Sequence, residues 1–134
     1  MKTVFVDTNV VLDVLLQNVD FFADSLKIFQ LAETDAIRAY VSASSMTDIF
    51  YIARKHLGIS VAREAMNRLL AIFHVVGVDG NDLKNAMTVP IEDIEDALQL
   101  WCAEKIKADT LITRDIDGFA PASMFVTRPS DFQP

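Results

Sequence analysis

The sequence predicts an α/β fold: a three-layer α/β/α sandwich around a mainly parallel central sheet of four to five strands. Three observations carry this expectation. Short apolar runs rich in β-branched residues recur at 3–6, 38–42, 75–78 and 110–113, with a candidate fifth at 124–127. Segments with helical spacing of apolar residues separate them, and such alternation is the pattern of βαβ units. The runs are continuous rather than alternating, as expected of strands covered on both faces by helices.

Each element has its own local signal. Thr3 to Val6 stops abruptly at Asp7-Thr8-Asn9, which reads as a buried strand entering a polar loop. Val10 to Gln17 then reads as a short helix. Phe22, Leu26, Phe29 and Ala32 follow helical spacing, so Asp20 to Thr34 is an amphipathic helix. Arg38 to Ser42 gives the second strand. Ser44 to Leu57 is a helix ended by Gly58, and Ser60 is the expected cap of the next helix, whose apolar face is Ala62, Ala65, Met66, Leu69 and Phe73. Val75 to Val78 is the third strand, and Gly80 opens a short helix to about Met87. After Pro90, a helix runs from Glu92 to about Lys107 with acids in its first turns. Thr110 to Thr113 is the fourth strand, and the residues after Pro129 are expected to form a loose tail.

At 134 residues, with no linker, repeat or low-complexity stretch, the chain is expected to form one domain spanning 1–134. A single cysteine, Cys102, excludes an internal disulfide framework and fits a reducing compartment. Residues Met1 to Asp7 lack a secretory pattern, and no apolar run approaches the roughly 18 residues of a membrane span. The expectation is therefore a cytoplasmic protein with no membrane partner. A formal charge of −7 at first argues against nucleic acid, because phosphate contacts reward Lys and Arg. Carboxylates gathered to hold cations would produce the same total, and the cations would then meet the phosphates. The placement of the acids decides between these.

In open parallel sheets, sites form outside the carboxyl ends of the strands. Asp7 and Asp115 each follow directly on a strand. Asp48 lies one turn into the helix after the second strand, and Asp96 lies early in the helix leading to the fourth. All four are placed to converge at one edge. Such a cluster repels itself unless cations are present. The chemistry that requires it is metal-assisted phosphodiester hydrolysis, in which two metals roughly 3.5–4 Å apart activate a water and steady the leaving oxygen. Oxygen-only ligands select Mg2+ or Mn2+ over zinc. His56 and His74 have no metal spacing. Each acid also has a local reading: Asp7 as a turn residue, Ser45-x-x-Asp48 as a capping box, Glu92, Asp93, Glu95 and Asp96 as complements of a helix dipole, Asp115 and Asp117 as loop caps beside Gly118. Singly these compete on even terms; one arrangement explains all four.

Val6-Asp7-Thr8-Asn9-Val10-Val11-Leu12 resembles the opening motif of PIN domains, and Ser42 to Ile49 the second, with a serine six positions ahead of an acid. Asp93-Ile94-Glu95-Asp96-Ala97-Leu98-Gln99 is similar to the third motif, and Leu111-Ile112-Thr113-Arg114-Asp115 to the fourth. The resemblance spans residues 3 to 128. It implies a PIN-like fold, a Mg2+- or Mn2+-dependent ribonuclease, and, as with many small bacterial members, the toxin of a toxin–antitoxin pair with an RNA substrate and a cognate antitoxin partner. Carried over by position, Asp7, Asp48, Asp96 and Asp115 are the catalytic, metal-binding quartet, with Asn9, Asp93, Thr113 and Asp117 around them. Two departures stand out. Asp48 is one methylene shorter than the glutamate of most relatives, and Gly118-Phe119 replaces the usual aspartate–phenylalanine pair, which leaves Asp115 and Asp117 both open as the fourth acid.

Arg54, Lys55 and Arg114 are the cations placed near the acids and are candidates for RNA phosphate contacts; a solvated surface role competes for each. Phe21, Phe22, Phe50 and Tyr51 offer an apolar face for a homodimer, with core burial as the default. Trp101 and Cys102 are expected to pack. Two rival functions remain at this point: a catalytically degraded PIN-like module that binds RNA or protein, favoured by the shorter Asp48, and a phosphoryl-transfer protein using Asp7 as nucleophile, against which the chain shows no Gly-rich phosphate loop.

Overall fold

A computed structural model describes all 134 residues. Strands β1 (Lys2–Val6), β2 (Ile37–Ser42), β3 (His74–Val76), β4 (Thr110–Ile112) and β5 (Phe125–Thr127) form one sheet in the order β3-β2-β1-β4-β5, with every pairing parallel. Helices α1 (Thr8–Leu15), α2 (Phe22–Glu33), α3 (Ala43–Leu57) and α4 (Ile59–Ile72) cover one face; α5 (Gly80–Ala86) and α6 (Ile94–Lys105) cover the other. The three-layer α/β/α arrangement expected from the sequence is what forms, with all five strands parallel. No helix is long and apolar enough to cross a membrane.

The continuous apolar run of β1 feeds two cores because its side chains alternate. Val4 and Val6 pack with Val10, Ile28, Phe29, Val41 and Ile49, while Phe5 packs with Leu98, Leu100, Leu111 and Phe119. Val4, Phe5 and Val6 are all fully buried. At about 25 cal/mol per Å2 of apolar surface, such central residues dominate the stabilisation. The chain lays β2 and β3 on one side of β1, then returns to place β4 and β5 on the other. The reversal makes the carboxyl ends of β1 and β4 the topological switch point, where a crevice opens.

Element ends differ from expectation for local reasons. Ser60 does not cap α4. Gly58, at φ 84°, closes α3 and starts α4 directly at Ile59, without a side-chain cap. Ser45-x-x-Asp48 is no capping box either, because Ser42 caps α3 by accepting the Ser45 N–H at 3.0 Å. The true capping box is Asp79 with Asp82 at α5, and α6 starts at Ile94 rather than Glu92, capped by Asp93. The tail is packed rather than loose: Pro129–Asp131 makes a 3₁₀ turn and Phe132 inserts beside Ile28 and Phe29 in the core.

Candidate metal centre at the sheet switch point

Asp7 ends β1 and caps α1 in one residue. Its N–H continues the ladder by donating to the Ile112 carbonyl at 2.9 Å, and its Oδ1 accepts the Thr8 N–H at 2.8 Å. The carboxylate is 6% exposed and is held on both oxygens. Thr113 Oγ1 donates to Oδ2 at 2.8 Å, and Gln99 Nε2 donates to Oδ1 at 3.2 Å. Gln99, itself buried in the second turn of α6, is fixed in turn by the Ser42 hydroxyl, which donates to its Oε1 at 2.6 Å. A chain of bonds thus runs from the α3 N-terminus through α6 to Asp7.

Asp48 and Asp96 face the same cleft as Asp7. Its volume is about 210 Å3, and its lining also includes Ser45, Glu95 and Gln99. Asp96 is partly buried in the first turn of α6, and its N–H is taken by the Asp93 cap. Asp115 is exposed just beyond β4. Its N–H donates to Thr113 Oγ1 at 3.0 Å, and its Oδ1 accepts the Gly118 N–H at 3.1 Å. A Cβ at 118 would collide with the Asp115 carboxylate, so the glycine at this position gives that acid its room. Asp117 lies in the following 3₁₀ turn and is exposed. Of the two, it is Asp115 whose charge acts on Asp7 and Asp96. Asn9 donates to Thr113 Oγ1 at 3.4 Å and accepts the Arg114 N–H at 3.4 Å. A larger open depression at the opposite edge of the sheet sets Glu104 and Asp109 beside Lys2 and Lys107, so its acids have cations of the chain next to them.

The charges register the crowding. Burial raises the Asp7 carboxyl above its ordinary value, and the bonds from Thr113, Gln99 and Thr8 only partly offset it. Asp96 is pushed up to about 6, first by burial and then by the charges of Asp7, Asp93, Asp115 and Glu95. Glu95 is raised chiefly by Asp48. Residues 3–117 match the family profile of the PIN domain. The chain belongs to the PIN-domain family.

Solved structures agree on the fold of this PIN domain. It superposes on a DNA-bound VapBC from Salmonella typhimurium with a TM-score of 0.73 at 14% identity, covering 96% of this chain and 99% of the other. VapBC2 from Rickettsia felis, bound to a DNA fragment from its promoter, gives 0.71 at 15% identity, with 94% and 98% covered. VapC20 of Mycobacterium tuberculosis, a toxin that cleaves the sarcin–ricin loop, gives 0.64 at 13% identity, with 81% and 86% covered. No curated protein sequence matches the chain.

The side chains of this PIN domain suit a hard cation. The cleft offers carboxylates, serine hydroxyls and amide groups, with no His or Cys in its lining. No three of the potential ligands already stand in a geometry that would hold one ion. That still fits Mg2+ or Mn2+, since Mg2+ keeps several waters and is bound by one or two carboxylates. Of the three candidate RNA contacts, Arg114 is committed elsewhere: its guanidinium grips buried Asp13 at 2.7 and 3.2 Å and lies 4.1 Å over the Phe21 ring. Arg54 and Lys55 are exposed in the last turn of α3, outside the cleft lining, with Lys55 Nζ 5.5 Å from the Tyr51 ring. Sequence reasoning missed Gln99, Glu95 and Asp13. Glu95 carried a signal, one position before Asp96 on a helix turn that faces the cleft.

Proposed function

We propose that this PIN domain is a divalent-metal-dependent endoribonuclease and the toxin of a toxin–antitoxin pair. The observation that carries the reading is the meeting of Asp7, Asp48 and Asp96 in one cleft at the switch point, with Asp115 at its margin. Asp7, Asp48, Asp96 and Asp115 are the residues that would hold Mg2+ or Mn2+. When bound, the metal supplies an activated water and neutralises charge on the phosphate. The chain's own part is placement. Thr113 and Gln99 orient Asp7 through both of its oxygens, Asp93 fixes the first turn of α6, and Gly118 leaves room for Asp115. Arg54 and Lys55 supply phosphate contacts at the far end of α3. The likeness to VapBC structures supports an antitoxin partner, and Tyr51, exposed on α3, is an apolar group available to a second copy.

The test is Asp7→Asn, which keeps size and shape but removes one negative charge from the site. Mn2+-dependent cleavage of a structured RNA is expected to fall to background while the thermal melt is unchanged or slightly raised, because repulsion among the acids is relieved. Asp48→Glu, restoring the commoner family residue, is expected to keep or increase activity. A fully active Asp7→Asn protein would sink the nuclease reading. An inactive parent rescued by Asp48→Glu would favour a degraded binding module.

A further inference from the structure

Past Thr113 the sheet no longer sets the course of the chain, because the Arg114 and Asp115 N–H groups are taken by side chains. Asn9 Oδ1 accepts the first at 3.4 Å and Thr113 Oγ1 the second at 3.0 Å. Asn9 and Asp13 stand one turn apart on α1, so both present themselves to the same segment. Asn9 also donates to the Thr113 hydroxyl, and Asp13 takes the Arg114 guanidinium at 2.7 Å from Nε and 3.2 Å from a terminal nitrogen. The carboxylate that does this is 2% exposed, lies outside the lining of the cleft and is backed by Asn18 and Ser25. Asp7 caps the start of the same helix. One helix therefore joins the acid that ends β1 to the anchor of the residue beside Asp115.

We propose that Asp13 and Arg114 are positioning residues, whose ion pair sets the place of the Asp115 carboxylate relative to Asp7. The inference rests on the metal-dependent reading above and deepens it, since neither residue would touch the cation. A guanidinium held through two of its nitrogens fixes direction as well as distance, and the residue so fixed is the immediate neighbour of Asp115. Asp115 itself is exposed, with no packing of its own to hold it. A buried ion pair stabilises a fold little more than apolar groups of the same volume would, so stability alone gives no reason for charge at 13 and 114. Direction does. A hard cation such as Mg2+ demands near-octahedral placement of its oxygens, and a carboxylate on a loose loop would meet that demand only part of the time.

Mn2+ binding to the full chain, read from the electron-spin resonance of the free ion beside a thermal melt, separates position from stability. Arg114→Lys keeps the charge and loses the fork, and is expected to bind Mn2+ about tenfold more weakly than the parent. The paired change Asp13→Leu with Arg114→Met replaces the ion pair by apolar groups of similar size. Its melt should stay close to the parent's while its Mn2+ affinity falls by about the same tenfold factor. In an Asp115→Asn background neither change should weaken binding further, because the pair acts only through Asp115. Arg114→Lys runs through the whole cycle, so the answer does not depend on the paired variant folding. Unchanged affinity in Arg114→Lys with its melt kept would overturn the positioning role and leave the nuclease reading standing. Losses of equal size with and without Asp115→Asn would also overturn it, in favour of a general loosening of the fold. No Mn2+ uptake by the parent would overturn both readings.

Discussion

One threonine shows how much of the site is held by uncharged groups. Thr113 is fully buried, and its single hydroxyl donates to Asp7 while accepting from the Asp115 N–H and from Asn9. It therefore fixes the distance between the acid that ends β1 and the one that follows β4. Thr113→Val conserves shape and removes the hydroxyl, leaving the buried Asp7 Oδ2 and the Asp115 N–H without this partner. The expected outcome is a loss of about 1–3 kcal/mol in urea unfolding and of roughly 10–100-fold in Mn2+ affinity. Thr113→Ser should retain both. Equal behaviour of Val and Ser would show that the methyl group, not the hydroxyl, is what the position requires. The glycine three residues beyond Asp115 works by the opposite means: Gly118 contributes space, and Asp115 fills it.

At the scale of elements, the exit of β4 is clamped to the first helical hairpin. Asp13, 2% exposed on α1, receives both arms of Arg114, an amide hydrogen of Asn18 and the Ser25 hydroxyl of α2. Phe21, in the turn between α1 and α2, closes over the guanidinium. Removing one partner of a buried pair leaves the other uncompensated, so Arg114→Ala is expected to lower stability by about 3–5 kcal/mol. If Arg114 contacted RNA phosphate instead, the melt would be unmoved and affinity for all RNA sequences would fall together. The clamp also explains what the sequence did and did not disclose. Asp7 and Asp96 were legible because each sits at a strand or helix end, which apolar periodicity discloses, and Asp48 because its spacing from Ser42 belongs to a resembled motif. Asp13 and Gln99 sit inside helices, among residues whose spacing says only which face is buried. Their roles depend on what the opposite layer presents, Arg114 in one case and Ser42 in the other. The pairing of Arg114 with Asp13 was hidden by the same logic, since adjacency to Asp115 says nothing of the direction its long side chain takes. Ser60 looked like a cap because Gly58 disguised its ability to end one helix and begin the next.

Across the whole molecule, acidity is arranged in two opposing ways. The Asp82 carboxylate is lowered to about 2, first by the Trp101 indole N–H, then by the Asp79 N–H and Lys105. Asp7, Glu95 and Asp96 are raised. An unfolded aspartate ionises near 3.8, whereas folded Asp96 ionises at about 6. Between those values the folded state holds the extra proton, so stability falls as pH rises, and the loss is complete above the folded value. Asp7 adds to the loss with the same sign. Asp82 acts in the other direction: below 3.8 the unfolded chain binds the proton first, and stability falls as pH drops toward 2. Without metal, these groups together make the protein more stable near pH 4–5 than at pH 7. On the proposed metal-dependent reading, divalent cations are expected to reverse the upper limb, because they would bind the ionised acids of the folded state and displace their protons. At 100 times its Kd, a bound ion adds about 2.7 kcal/mol. Thermal melts from pH 4 to 8 in a chelator, repeated with millimolar Mn2+, are therefore expected to show a midpoint that falls between pH 4 and 7 without metal and rises or stays level with it. The Asp7→Asn protein should show a shallower fall and a smaller response to Mn2+. A midpoint independent of pH in the chelator would mean that the acids gathered at the switch point do not share one field, and the charge argument for the site would fail with it.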